Sequence, residues 1–275
     1  MMMREICHPE GALRCAQGRA PRPREPERRF GPLPFASLRV RVTIAFGLAM
    51  ALLTTTALAQ VGHSPQSSPY RDIRKGHTFT ATGGYFSGDG GEFGIGPHSG
   101  AIIGARYDIR TASTIQIGIG VAHGSLDRFI VNPFVRLANR RSGPVSQSVT
   151  FAELNLQFNV TGGKSWRRIA PFVGAGGGIA LASGTPADTS RFEFGRKFYL
   201  APNVGVRLFL SDRLHLRAEA RATFWKLNYP TTFQQEPVEE PGTLENPNAV
   251  IPGNNLSEWT SSSWLLAGLG YSFSL

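Results

Sequence analysis

Apolar and charged side chains alternate over two consecutive stretches near residue 210. In residues 206–210, Val and Leu occupy every second position around Arg207, and in residues 214–224 six apolar residues share one parity. The opposite parity of the second stretch carries His215, Arg217, Glu219 and Arg221. A period of two is typical of β-strands, because successive side chains point to opposite faces. With the turn residues Ser211-Asp212 between them, the stretches predict a β-hairpin with one apolar and one charged face.

Eight segments of the chain have this strand character. They span residues 77–86, 99–111, 113–123, 146–161, 167–182, 196–211, 213–228 and 260–275. No window of helical period competes with them, and strands do not alternate with helices as they do in parallel α/β folds. The sequence therefore predicts an all-β domain over residues 77–275, with a linker at 60–76.

The links between these strands alternate strictly between short and long. Short links follow the second, fourth and sixth strands, whereas the last long link runs from about Tyr229 to Trp259. An even number of strands, with short turns at one end and long loops at the other, is typical of bacterial outer-membrane barrels. We therefore predict an eight-stranded antiparallel up-and-down transmembrane β-barrel with four extracellular loops.

The composition of the polar face of the strands indicates whether the charges point inward or outward. This face combines bulky charged residues with glycines such as Gly118, Gly120 and Gly176. The interior of an eight-stranded barrel is just wide enough for side chains to fill, so large charged side chains packed over glycines fit there. We predict a polar lumen in which opposite charges pair, since unpaired buried charges are costly. The predicted luminal residues are Arg106, Asp108, Arg110, Glu153, Arg207, Arg217, Glu219 and Arg221. A narrow, weakly anion-preferring pore is the alternative.

Large aromatic residues lie near the predicted strand ends. They are Tyr85, Phe86, Trp166, Phe198, Tyr199, Trp225, Tyr229, Trp259 and Trp264. Such positions suit the two interfacial girdles of a membrane barrel. The alternative is a soluble barrel whose apolar core these residues cap.

The N-terminal part of the chain predicts export. Arg39 and Arg41 precede an apolar run at 42–53, which is too short to span a bilayer as a helix, and Ala57-Leu58-Ala59 follows. We predict a signal peptide at 38–59 that is cleaved after Ala59. Residues 1–37 are interpreted as an upstream translation start or a disordered extension.

Composition narrows the possible partners. Charged residues make up 17% of the chain, less than the roughly 25% of soluble domains. The net charge of +10 does not predict a nucleic-acid partner, because nine arginines lie in the first 59 residues and no dense Lys/Arg run follows. Both cysteines, Cys7 and Cys15, precede the predicted cleavage site, so the exported chain has no thiolate or disulfide.

The C-terminal strand supports a resemblance to a known family. In "WLLAGLGYSFSL", Gly270, Phe273 and Leu275 resemble the signal that delivers outer-membrane barrels to the barrel assembly machinery, although the usual last residue is Phe or Trp. The stretches "APFVGAGGGIALASG" and "GVRLFLSDRLHLRAEAR" resemble small OmpA-like and OmpX-like barrel proteins. The resemblance implies insertion in the outer membrane and contact with its lipid and lipopolysaccharide. Because nothing follows the eighth strand, we expect no further periplasmic domain.

Few residues suggest catalysis. "GGKS" at 162–165 lacks the preceding glycine of a P-loop, and the histidines do not have metal-ligand spacing. His123 and Ser125 resemble the His-x-Ser pair of barrel-shaped lipid A deacylases, for which Asp127 or Glu153 would supply the acid. Those enzymes, however, carry the pair near the C-terminal end of the barrel.

We therefore predict a non-enzymatic protein without cofactor or metal, and a lipid A-modifying enzyme is the alternative. Function is expected in the extracellular loops, through envelope integrity, adhesion or binding of an unknown extracellular ligand. The longest loop contains several carboxylates that predict an acidic surface able to meet lipopolysaccharide through bridging cations. They are Glu236, Glu239, Glu240, Glu245 and Glu258.

Overall fold

The computed structural model describes residues 68–185, 188 and 190–275. The predicted segments 1–37 and 38–59 and the cleavage site at Ala59 lie outside the described residues. The strands are β1 (Tyr70–Asp72), β2 (His77–Gly88), β3 (Ser99–Arg110), β4 (Ile115–Val131), β5 (Arg141–Asn159), β6 (Lys164–Trp166), β7 (Ile169–Ala182), β8 (Arg196–Phe209), β9 (Leu214–Asn228) and β10 (Ser257–Phe273). Two 3-10 turns lie at Leu137–Asn139 and Thr231–Gln234. Among the described residues, no helix has the length and apolarity needed to cross a membrane.

The eight long strands close into one antiparallel barrel, which confirms the predicted fold. Each pairs with the next long strand along the chain, and β10 returns to pair with β2, where Phe273 lies opposite His77. If one starts at Phe79 and moves from each residue to its partner on the next strand, one circuit of the barrel ends at Ser261. The neighbouring residue Ser262 pairs with Gly88 on the starting strand, so the circuit returns about ten residues beyond Phe79. The register therefore shifts by about ten residues per circuit, which requires strands tilted by about 40°.

Strands β4 and β5 are longer than the sequence predicts. β4 continues to Val131 rather than ending at 123, and β5 begins at Arg141 rather than 146. Around these extra residues, the outer face of the β4–β5 hairpin carries polar side chains such as Ser125 and Ser146. The apolar alternation therefore ends before the hydrogen-bonded strands do.

The links between strands divide the barrel into two different ends. The loops at 89–98, 132–140, 183–195 and 229–256 lie at one end, which we call the loop end. The short connections and both ends of the described chain lie at the other, the turn end. There β1, which falls in the predicted linker, pairs with β6, with Tyr70 opposite Trp166.

The outer face of the barrel is an apolar band. Its most exposed side chains include Ile103, Leu154 and Leu265, each more than 60% accessible. On β9 the outward apolar residues run from Leu214 to Phe224, ten positions, which is about 25 Å along the barrel axis at ~3.3 Å per residue and ~40° tilt. This is the height of the apolar band of membrane barrels.

Candidate functional site

Small luminal residues make room for the charged side chains. A Cβ on Gly118 would lie 2.0 Å from Oδ1 of Asp108, and one on Gly270 would lie 2.3 Å from Nε2 of His215. Glycine at both positions therefore lets a neighbouring strand fill the space with a larger polar group. The barrel interior is consequently occupied by side chains rather than open.

Glu219 is the centre of a luminal charge network. Its carboxylate accepts hydrogen bonds from Arg217 and Arg221, in each case at 2.5 Å from Nη2. Arg221 also donates to Glu153, whose carboxylate accepts a bond from the Tyr199 hydroxyl at 3.2 Å. Glu219, Arg217 and Arg221 are all buried, so the ion pairs replace the water that the charges lose.

Arg106 and Asp108 join the same network from β3. Nε of Arg106 donates to Oδ1 of Asp108 at 2.7 Å, and Nη1 of Arg106 lies 4.0 Å from both Glu153 and Glu219. Arg217 lies 3.9 Å from Asp108 and closes the ring of contacts. Six of the eight residues predicted for the lumen are thus brought together, and their three positive and three negative formal charges cancel.

The other two predicted residues have different partners. Arg207 is buried nearer the turn end and donates to Gln116 at 2.9 Å and to Asn159. Gln157 connects this group to the charge network, since it bonds both Gln116 and Arg217. Sequence reasoning overlooked these amides, although they share the inward parity of their strands. Arg110 lies at the turn end and donates to the carbonyls of residues 73 and 75.

An aromatic cluster fills the lumen between the charge network and the loop end. Phe86, Phe151, Tyr199, Trp225 and Trp264 are each at most 1% exposed, and the rings of Phe151 and Trp264 are 4.6 Å apart. The girdle prediction was wrong for Phe86, Tyr199, Trp225 and Trp264. These residues have the inward parity of their strands, which decides the face more strongly than nearness to a strand end.

Other aromatic residues do point outward near the edges of the apolar band. Tyr85, Phe198 and Trp259 are at least half exposed towards the loop end, and Trp166 is 41% exposed at the turn end. Tyr229 is buried among the loops, so the girdle prediction was wrong for this residue as well. The outward residues are therefore the ones placed to meet the membrane interfaces.

The loops pack over the mouth of the barrel as a second apolar core. Phe192 and Phe194 from one loop, Phe233 and Ile251 from another and Ile95 from a third are buried in one cluster with the luminal aromatics. Beneath them, Nη2 of Arg128 lies 2.5 Å from Oδ2 of Asp188, and both side chains are buried. The sequence did not reveal this core, because the loops lack any periodicity.

The carboxylates of the longest loop mainly organise the loop itself. Glu236 accepts hydrogen bonds from the backbone N–H groups of Gly242, Asn248 and Ala249 at 2.9–3.2 Å. These bonds, above all that from Gly242, lower the pKa of the Glu236 carboxyl. The predicted acidic surface is smaller than the count of glutamates suggests, since Glu239 is also paired, 3.1 Å from Arg136.

Glu258 and Tyr229 form a polar contact at the base of the same loop. The Tyr229 hydroxyl donates to the Glu258 carboxylate, which also accepts a bond from the N–H of Glu92 at 2.8 Å. Burial, together with the nearby carboxylate, raises the pKa of Tyr229. Glu258 therefore links the longest loop to the loop at 89–98.

We expect Glu236→Gln to loosen the longest loop at neutral pH. Because the folded pKa of Glu236 is depressed, the stabilisation of the loop by this carboxylate is fully present above the unfolded pKa and is lost as pH falls through the lower folded pKa. Hydrogen exchange at the amides of Gly242, Asn248 and Ala249 should accelerate in the variant, and in the wild type at low pH after correction for intrinsic rates. Glu245→Gln, at an exposed position of the same loop, is the control, and equal exchange in both variants would contradict the expectation.

His123 and Ser125 lie on the outer face of β4 rather than in a cavity. Nδ1 of His123 lies 2.9 Å from the Thr150 hydroxyl, and the Ser125 hydroxyl lies 2.5 Å from that of Ser146. The candidate acid Glu153 points into the lumen, on the opposite face of the sheet. The structure thus places the histidine and serine side by side but separates them from that acid.

The residues of the predicted C-terminal signal occupy three different environments. Gly270 faces the lumen against His215, Phe273 stacks outward on His77 with ring centres 5.7 Å apart, and Leu275 is exposed. Their role in assembly remains a prediction. Over the described residues, no group of three or more His, Cys, Asp or Glu side chains is arranged to hold a metal ion.

A closed antiparallel barrel with an apolar exterior and a charged interior is the architecture of the transmembrane β-barrels of bacterial outer membranes. Structures similar to this chain include Neisserial surface protein A, with a TM-score of 0.43 and 12% identity over 75% of this chain and 98% of that one. OprG from Pseudomonas aeruginosa has a TM-score of 0.43 and 13% identity over 73% and 98% of the two chains.

The N-terminal barrel domain of Pseudomonas aeruginosa OprF has a TM-score of 0.40 and 9% identity, over 72% of this chain and 98% of that one. No family model and no curated protein matches the chain. The assignment to the architectural class rests on the strand pairing and on the apolar outer face of the chain itself.

Proposed function

We propose that the protein is a non-enzymatic integral outer-membrane barrel that acts through its loops, in envelope integrity, adhesion or surface binding. The observation that carries this proposal is the filled lumen, in which the charge network and the aromatic cluster leave a cavity of only about 30 Å³. Such a volume holds about one water molecule, which supports a lumen without an open path for a solute between the charge network and the aromatic cluster. The packed loops remain as the surface available to partners.

Export and insertion are part of the same proposal. The protein would lose its signal peptide after Ala59, pass to the barrel assembly machinery and contact outer-membrane lipid and lipopolysaccharide. Its extracellular ligand would bind the loop end, because loops held by a rigid scaffold are common binding surfaces.

The first test uses outer-membrane fractions of expressing cells. We expect a band whose mobility in SDS changes on boiling, a mature N-terminus at Gln60, and no conductance steps from the purified protein in planar bilayers. A soluble protein without the mobility shift would contradict insertion. Conductance steps altered by replacing Arg217 or Arg221 would favour a small pore instead.

The second test separates the loops from the barrel. Replacing residues 235–252 by a short turn should preserve the mobility shift but reduce adhesion of expressing cells or their resistance to detergent. Unchanged adhesion and resistance would argue against a role of this loop. For the rival enzyme, His123→Ala or Ser125→Ala would have to abolish lipid A modification.

A further inference from the structure

The turn end of the barrel is strongly basic. Arg71, Arg74, Lys75, Arg110, Lys164, Arg167, Arg168 and Arg213 lie there. In the described part of the turn end, only Asp72 and Asp212 carry negative side chains. Most of these basic side chains are exposed, so the turn end presents a positive surface beside the apolar band.

An unusual turn stands at the edge of this surface. Trp166 pairs with Ile169 across a two-residue hairpin, so Arg167 and Arg168 are its central residues. Both have left-handed backbones, with φ of 45° and 71°. Such turns favour Asn-Gly, because side chains with a Cβ are strained at positive φ. Two consecutive arginines at these positions keep the backbone strained, whereas Asn-Gly would relieve the strain. The strained turn therefore points to a functional constraint on the two arginines.

The two guanidinium groups are available to an anion. That of Arg167 lies 5.2 Å from the ring centre of Trp166, and Nη1 of Arg168 donates to the carbonyl of Leu210 at 3.0 Å. Within the described residues, neither arginine is paired with a carboxylate. Arg168 therefore keeps donors free while one bond fixes its position on the barrel.

The position of this turn matches the headgroup level of a bilayer. Tyr70 and Trp166 lie opposite each other on β1 and β6, and each is about 40% exposed. Tyrosine and tryptophan prefer the membrane interface. Leu208 and Leu210, at the lower edge of the apolar band, are exposed next to the turn. The arginines thus lie just outside the hydrocarbon, where lipid phosphates are found.

We propose that the turn end binds the phosphate groups of anionic phospholipids in the adjoining leaflet, with Arg167 and Arg168 as the principal contacts. The inference rests on the proposed membrane insertion. Charge complementarity identifies the ligand, since a surface with eight basic and two acidic residues attracts anionic headgroups. The aromatic pair Tyr70 and Trp166 would hold the turn at the depth where both guanidinium groups reach a phosphate.

The test compares the full barrel with the variant R167N/R168G, in vesicles of phosphatidylcholine containing phosphatidylglycerol. This variant removes two charges but gives the turn its preferred residues, so we expect it to insert. Spin-labelled lipids should show that the wild type prefers phosphatidylglycerol. In the variant, the preference for phosphatidylglycerol should fall by roughly fivefold for each guanidinium group that contacts a headgroup in the wild type.

Three further variants identify the cause of any change. R167K/R168K keeps the charge and should keep the preference, whereas a purely structural role of the guanidinium groups would abolish it. R136Q/R191Q removes the same charge from the loop end and should change nothing. R167Q/R168Q replaces the first variant if R167N/R168G does not insert.

The possible failures are distinguishable. A wild-type protein that does not insert, as judged by gel mobility with and without boiling, would overturn the proposed function itself. Insertion without any preference, or a preference retained in R167N/R168G, would overturn this inference alone. Competition by inorganic phosphate at constant ionic strength would show that the arginines bind free phosphate, and would overturn the assignment to lipid.

Discussion

Replacing Glu219 by alanine is expected to destabilise the barrel by about 3–5 kcal/mol, the cost of removing one partner from a buried ion pair. Glu219 accepts hydrogen bonds from Arg217 and Arg221 and lies 4.0 Å from Arg106. Its loss would leave three buried arginines with two carboxylates in the charge network. The remaining charges would then be incompletely compensated.

The measurement is urea unfolding of the folded protein in lipid vesicles, followed by the gel mobility shift. Glu239→Ala is the matched control, because it removes a glutamate whose partner Arg136 is also solvent-exposed, and such pairs contribute up to about 1 kcal/mol. A decrease of less than about 1 kcal/mol in the free energy of unfolding for Glu219→Ala would mean that the arginines find other partners. The network would then not be the main stabilising element of the lumen.

Replacing Trp264 by alanine is expected to lower the free energy of unfolding by about 3–5 kcal/mol, as is usual when a large aromatic residue is removed from a core. Its ring packs on Phe151 at 4.6 Å and lies beneath the guanidinium group of Arg221 at 5.1 Å. Trp259→Ala provides the comparison on the same strand, since Trp259 is 60% exposed on the outer face.

Unfolding of both tryptophan variants under the same conditions tests which face each residue occupies. From the structure, we expect Trp264→Ala to lower the free energy of unfolding much more than Trp259→Ala does. Similar losses would instead support the sequence-based interpretation, in which both residues belong to a membrane girdle. The comparison thus tests the inward position of the aromatic cluster directly.

The strands were predictable because a membrane barrel imposes a strict period of two on its wall. Arg217, Glu219 and Arg221 on one strand parity were sufficient to predict a charged face, and the alternating link lengths predicted the meander. Parity also predicts the inward position of Trp225, which has the same parity as Arg221, whereas closeness to the strand end predicts a girdle position. Strand parity is therefore a better guide than closeness to a strand end to the residues that line the lumen.

The loop end was less predictable for a physical reason. The contact of Arg128 with Asp188 joins a strand to a loop 60 residues further along the chain, and neither residue lies in a recognisable pattern. The same holds for the apolar core formed by Phe192, Phe233 and Ile95. The strained Arg167-Arg168 turn was hidden for another reason, since only backbone angles show that two arginines occupy positions that normally favour glycine or asparagine.

The pairing of β2 with β10 has a consequence for how the chain becomes a finished barrel. All other long strands pair with neighbours in the sequence, whereas Thr78 and Ser272, bonded across the seam, are 194 residues apart. Until the last strand arrives, the sheet has two open edges whose backbone groups cannot be satisfied in hydrocarbon, at several kcal/mol each. A chain that stops short of β10 should therefore be unable to reside in a bilayer at all, and clearance by proteases rather than partial activity is its expected fate.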